Sequence, residues 1–408
     1  MPLCPHIPPL RRPLHLSRYT ASSCLGHGVS ATREALAARR SGLERCTFDN
    51  VDLQTWTGTV AGVDAQVLPA ALAEYNCRNN RLALLAIEQD GFANAVNAAA
   101  ARLGAHRIGV LLGTSTSGIY ETELAYRNRD PITGALPLGL VYHGSHNPYS
   151  LAGFVRGYLG LAGPAASVSS ACSSSAKVFA SAWRMIEAGL VDAVVVGGVD
   201  SLCLTTLCGF GSLDVLSSAP CRPYAADRSG ISIGEGAAFV LLERATAEPP
   251  EGAILLYGVG ESSDAHHMSA PHPEGLGAQL AMEQALAMGQ VAPSDVGYVN
   301  LHGTGTISND IAEGKAVAAV FGERGVPCSS TKGATGHALG AAGGLEAVIS
   351  ALALEDGVAW AGINTLACDE SIPVDYVLEV REQPRRFVLS NSFGFGGSNC
   401  SLLLGRAR

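Results

Sequence analysis

Positive charge is scarce in this sequence and nowhere clustered. Lys and Arg number 27 against 36 Asp and Glu, for a formal net charge of −9, and no basic run exceeds a pair. Such a chain lacks the electrostatic footprint of a nucleic-acid binder. Long apolar runs are missing too: none approaches the roughly 20 residues that a membrane-spanning helix needs. The eleven cysteines, from Cys4 to Cys400, show no CxxC pair and no framework spacing. They read as free thiols in a reducing compartment. The opening stretch, MPLCPHIPPLRRPLH, has no apolar core of the kind a secretory signal carries. A cytoplasmic location is the expectation.

What is abundant is apolar and small. Hydrophobic residues make up 47% of the 408, charged residues only 15%, and glycine occurs 48 times. Much of such a chain must be buried, and an excess of this size points to a large subunit interface. Strand-length runs at 108–112, 191–199 (VDAVVVGGV), 239–242, 296–301 and 399–404 alternate with alanine-rich, helix-like segments. The latter fall at 31–40, 175–190, 280–288, 310–321 and 344–354. This alternation predicts an α/β fold with largely parallel sheets. Pro249-Pro250 marks a seam, dividing the chain into an extension over 1–13 and two parts, 14–250 and 251–408. No internal repeat is visible between those parts.

Three clusters carry chemistry. In Ser169–Lys177 (SSACSSSAK), small residues crowd Cys172 just before a helical pattern. The positive end of a helix dipole favours thiolate, and small neighbours leave backbone N–H groups free to hold an oxyanion. A buried structural cysteine is the competing reading, and it is the one taken for the other ten. His302–Asp310 (HGTGTISND) places a histidine at the end of a strand pattern, among glycines and threonines, ahead of a helix with Asp310 and Glu313. That is a favourable position in an α/β crevice. In Ser330–Ala347 (STKGATGHALGAAGGLEA), Lys332 and His337 lie five residues apart in a glycine-rich turn. Either histidine alone would more often be a satisfied core or surface residue.

Together with Asn391–Asn399 (NSFGFGGSN), these segments occur in the order seen in β-ketoacyl-acyl-carrier-protein synthases. The chain resembles the elongating Cys-His-His members of those thiolase-like condensing enzymes from about Leu14 to Leu404. The resemblance implies two fused, similar halves, each a mixed five-stranded sheet, in an αβαβα layered arrangement. It places the catalytic triad at Cys172, His302 and His337, with Lys332 as supporting lysine. The thiol of Cys172 takes an acyl group, and the two histidines serve decarboxylation of a malonyl thioester more than acyl transfer. The resemblance gives the oxyanion to the amides of Cys172 and Phe393, and makes Phe393 the gate between malonyl site and acyl tunnel. Thr304, Thr306 and Ser269 fall on the pantetheine arm, Ser269 where threonine is more usual. Phe210 falls beside the acyl tunnel, while Glu313, Glu346 and Asp310 support the site.

No cofactor or metal is implied, since substrates arrive on the phosphopantetheine of acyl carrier protein. That partner is acidic, so docking needs a local basic patch, and Arg33, Arg39, Arg40, Arg127 and Arg129 are available. The resemblance also implies a dimer, with the strand near 191–199 pairing across a two-fold axis. The partner is either a second copy or a divergent synthase-like subunit. Departures at Tyr224-Ala225, Ser229 and Tyr19–Ser22 spare the triad and suggest a divergent branch serving fatty-acid, polyene or polyketide synthesis. A thiolase would carry a second cysteine in the C-terminal glycine motif, and none is there. A non-elongating chain-length subunit would lack the nucleophile, and Cys172 is present.

Overall fold

A computed structural model of the chain describes residues 12–382 and 386–407. Most of the expected N-terminal extension, residues 1–11, lies outside the described residues. Ten strands and six helices carry the architecture. In the first half these are β1 (Leu14–Ser23), α1 (Arg78–Ile87), β2 (Ile108–Gly113), α2 (Tyr149–Tyr158), β3 (Ala165–Val168), α3 (Ser174–Glu187), β4 (Ala193–Asp200) and β5 (Gly236–Arg244). In the second they are β6 (Ile254–Ser263), α4 (Leu276–Gly289), β7 (Val296–Asn300), α5 (Ile307–Phe321), β8 (Pro327–Ser329), α6 (Ala342–Asp356), β9 (Phe387–Gly394) and β10 (Ser398–Arg406). The connection between β5 and β6 contains Pro249-Pro250.

The two halves repeat one topology. The first sheet runs β3-β2-β4-β5-β1 and the second β8-β7-β9-β10-β6, the latter extended by the two-residue strand Asp375–Tyr376. In each, the first three strands in that order are parallel and the last two antiparallel. The repeat escapes the sequence because it lives in strand order and not in residue identity. The sheets meet edge to edge at one narrow seam, where Leu14 pairs with Leu256 and His15 with Leu255.

Burial explains the composition. β4 is buried along its whole length, as a run of Ala, Val and Gly must be when both faces of a parallel sheet are covered. α6 is buried from Ala342 to Leu354, all round, because it lies between the two sheets beside α3. A helix that is apolar on every face belongs in such an interior. One hydrophobic cluster fills this central layer, and two others back the outer helices of each half. No helix among the described residues is long and apolar enough to cross a membrane.

One expectation is overturned. The strand at 191–199 cannot pair across a two-fold axis, because β2 occupies one edge of β4 and β5 the other. Among the described residues the open edge of the first sheet is β3, which pairs only with β2.

Packing within the first half, where β4 meets β2 and α3, depends on absent side chains. A Cβ on Gly198 of β4 would lie 2.6 Å from both the Gly113 carbonyl oxygen and the Ser175 Cβ. Overpacking of a tight core costs about 1–3 kcal/mol or more. Gly198→Val is therefore expected to lower the urea midpoint by at least that equivalent with an unchanged m-value. An unaltered midpoint would show that the layer can relax.

Candidate active site

Cys172, His302 and His337 come from three loops at the carboxyl ends of strands. Cys172 lies between β3 and α3, and His337 in the corresponding loop of the second half, between β8 and α6. His302 follows β7. All three side chains are buried, and their donor atoms lie within 4.8 Å of one another. The Cys172 Sγ is 3.0 Å from His337 Nε2. The rings of His302 and His337 meet edge to face at 5.3 Å. A Cys/His/His set could also ligate a thiophilic ion, although Lys332 beside it sets cation against cation.

Lys332 occupies the centre of a buried network. Its Nζ lies 3.4 Å from His302 Nδ1, donates to the His302 carbonyl at 2.5 Å and pairs with the Glu346 carboxylate. A donor at Nδ1 leaves the proton of a neutral His302 on Nε2, facing the triad. Burial, reinforced by Lys332, holds both His302 and His337 well below the usual histidine range. Burial pushes Glu346 up to about 7 against the pull of Lys332. Glu313 fixes the His302 backbone, accepting from the amides of His302 at 2.8 Å and Gly303 at 2.7 Å, and from Asn391 Nδ2. Asp310 accepts from the amides of Gly305 and Tyr224, tying the threonine loop to the Arg-Pro-Tyr segment.

A pocket opens above the triad. Thr304 and Thr306 line it, their hydroxyls 2.8 Å apart, and Thr306 also caps α5. Ser269 lines the entrance, while Phe210, Val215 and Ile231 form an apolar side. The entrance loop is anchored to the glycine loop by Asn399 Nδ2 donating to Asp264 at 2.8 Å and by the Gly396 amide donating to the Met268 carbonyl at 2.7 Å.

With this geometry in place, comparison with known proteins is decisive. Residues 21–248 match the N-terminal domain of β-ketoacyl synthase, and residues 254–365 its C-terminal domain. The chain belongs to the β-ketoacyl synthase family. The 3-oxoacyl-(acyl-carrier-protein) synthase 2 of Vibrio cholerae serotype O1 is 33% identical over 420 residues, 94% of this chain and 96% of its own. Nodulation protein E of Rhizobium leguminosarum bv. trifolii is 36% identical, covering 73% of this chain and 75% of its own. A solved structure of the ketosynthase ApeO in complex with its chain length factor ApeC, from Xenorhabdus doucetiae, superposes with a TM-score of 0.87 at 38% identity, covering 100% of both chains.

Within this synthase, two expectations need correction. Phe393, expected as gate and oxyanion donor, lines the pocket and lays its ring 5.9 Å from that of His302. The amide that acts on the Cys172 sulfur, favouring its thiolate, is that of Phe395. The Phe395 ring is 39% exposed and lies 5.8 Å from Phe210, between pocket mouth and apolar wall. Gly394 permits this approach, since a Cβ there would lie 3.1 Å from the Cys172 nitrogen. Both phenylalanines occupy one glycine-rich motif, so spacing alone did not separate them.

The second correction concerns the thiol. Burial pushes Cys172 up to about 11, against the pull of Lys332 and the Phe395 amide. Three of the first four amides of α3 are already paired within the chain. Those of Ser174, Ala176 and Lys177 donate to the carbonyls of Ala171 and Ser173. The five arginines considered for docking are engaged as well. Arg33 pairs with Glu355 and Asp356, Arg39 with Glu379 and Arg127 with Asp49. Arg40 and Arg129 donate to backbone carbonyls.

Thiolate is the form that alkylates. A raised thiol makes the rate of Cys172 alkylation by iodoacetamide, read by peptide mass, rise with pH beyond the ordinary thiol range near about 8.5. A plateau below that pH would mean that the site stabilises thiolate after all.

Proposed function

We propose that this synthase is a condensing enzyme that takes an acyl group from acyl carrier protein onto Cys172 and extends it with malonyl-acyl-carrier-protein. The observation that carries this reading is the 3.0 Å contact between Cys172 Sγ and His337 Nε2 at the floor of a pocket, with neutral His302 alongside. No second cysteine lies in the glycine motif, as a thiolase would need, and Cys400 is buried within β10. A chain-length subunit has no use for a nucleophile held against a histidine.

In the first step His337 accepts the Cys172 proton as sulfur bonds to the thioester carbon. The carrier thiol departs and takes that proton. The developing oxyanion is held by the backbone N–H of Phe395 and of Cys172 itself. In the second step the malonyl carboxylate leaves as carbon dioxide. His302 donates its Nε2–H to the thioester oxygen as it becomes an enolate, and His337 joins it as the tautomer protonated on Nε2. The enolate carbon attacks the acyl-enzyme carbonyl, and Cys172 leaves as thiolate and takes up from water the one proton that the overall reaction consumes, releasing 3-oxoacyl carrier protein. Thr304, Thr306 and Ser269 hold the pantetheine arm, Phe210 flanks the acyl side, and Phe395 serves as the gate. Lys332, Glu346, Glu313 and Asp310 maintain the positions and charge of the histidines.

The working assembly in this reading is a dimer built on the free edge of β3. Support for a heterodimer comes from full-length similarity to a ketosynthase that is itself paired with a chain length factor. Exposed apolar residues such as Ile132 and Leu138 give the surface a further reason to be covered. A branch devoted to fatty-acid, polyene or polyketide chains fits the departures at Tyr224-Ala225 and Ser229.

Incubation with acyl- and malonyl-carrier protein, followed by intact-protein mass, is expected to give a Cys172 acyl-enzyme and then 3-oxoacyl carrier protein. His302→Ala is expected to lower malonyl decarboxylation about 10²–10³-fold while leaving acylation measurable. His337→Ala lowers both steps, because its ring also contacts the sulfur. Unaltered carbon dioxide release in both variants would remove the histidines from the mechanism.

A further inference from the structure

Asp200, the last residue of β4, is fully buried and makes no ion pair among the described residues. A lone carboxylate is costly to bury unless hydrogen bonds hold it. Five donors do so here. Oδ1 accepts from Thr114 Oγ1 at 2.7 Å, the Ser115 amide at 2.7 Å, the Thr116 amide at 2.9 Å and Thr116 Oγ1 at 2.8 Å. Oδ2 accepts from the Gly340 amide at 2.6 Å.

These donors come from opposite halves. Thr114, Ser115 and Thr116 follow β2, and Gly340 lies three residues after His337. Ser115 Oγ reaches on to the carbonyl of Ala171, the residue before Cys172, at 3.4 Å. The approach leaves no slack, since a Cβ on Gly340 would meet Ser115 Oγ at 2.5 Å and Asp200 Oδ2 at 2.8 Å. Backbone on both sides is strained: Ala171 has φ 51° and Leu339 φ 49°, a region that non-glycine residues hold only when their surroundings impose it.

We propose that Asp200 is a positioning residue for acyl transfer, its carboxylate locking the turn after His337 to the loop that presents Cys172 and thereby setting the Sγ–Nε2 contact. This rests on reading Cys172 and His337 as the acyl-transfer pair. Asp200→Asn keeps the shape and keeps an oxygen for the four donors of the first half. Its amide nitrogen then faces the Gly340 N–H, donor against donor, and the turn that carries His337 is released.

The test is a double-mutant cycle on the full chain, using the rate of Cys172 alkylation by iodoacetamide, which requires no carrier protein. His337→Ala is expected to change that rate in the parent at least threefold more than it does in Asp200→Asn, with both backgrounds folded by circular dichroism. A purely structural Asp200 lowers the melting temperature and leaves the two effects additive, and additivity would overturn the proposal. With acyl carrier protein, Asp200→Asn is expected to slow acylation tenfold to a hundredfold at unchanged KM. A rate within twofold of the parent would overturn it too. Should Asp200→Asn not fold, Thr114→Val removes one donor while Thr114→Ser keeps it. Slower acylation in the valine variant alone supports the assignment, and equal rates refute it. If the parent accepts no acyl group, the functional reading fails by itself, and the alkylation cycle still decides Asp200.

Discussion

The constraint on which everything else depends is the contact of α3 with α6 between the two sheets. Each helix begins in the loop that presents one reactive side chain, so helix separation sets the distance from thiol to imidazole. Small residues make that separation possible. A Cβ on Gly343 would lie 2.8 Å from both the nitrogen and the Cβ of Ala176, and one on Gly344 would touch the Gly197 backbone at 3.3 Å. The unusual glycine and alanine content is thus a geometric requirement of the site as much as of the fold. A larger side chain at any of these points would part the halves where the chemistry joins them.

Burial then decides protonation. The same packing that excludes water makes every charged form expensive. His302 and His337 are held neutral, the Cys172 thiol is held protonated, and the Glu346 carboxyl is raised despite its partner. Neutral imidazoles suit a reaction that develops negative charge on a thioester oxygen, since they donate hydrogen bonds without surrendering a proton. The cost falls on the nucleophile, which must be deprotonated as it reacts and not beforehand. Lys332 limits that cost by placing a cation near the sulfur while Glu346 accompanies it. The dipole argument looked sufficient in the sequence because the amides of the helix start were counted as free. In the folded chain three of the first four are already paired, and burial of the sulfur raises it further.

Much of the site was legible in the residues because its chemistry is local. Cys172 among serines, His302 before Gly-Thr-Gly-Thr and the Lys332–His337 turn stand out wherever they occur, and strand and helix patterns placed each at an element end. Element boundaries followed hydrophobic period, so α6, α3 and β4 appeared within a few residues of their observed limits. What the residues could not reveal was position relative to distant segments. Phe393 and Phe395 are alternatives two residues apart, and only the path of the glycine loop over Cys172 selects Phe395. The run at 191–199 was identified as a strand, but whether its edges are free depends on β2 and β5, which flank it in space. Asp200 gave no signal, being one acidic residue after a run of valines and glycines.

The sequence by itself determined the reactive groups, the α/β class and the family resemblance, since each is written in short segments whose chemistry does not depend on their neighbours in space. The tertiary structure alone decided the open edge at β3, the amide that faces the sulfur and the protonation of the thiol. These are properties of separation and burial. They arise only when loops distant in the chain are forced together in a volume from which water is excluded.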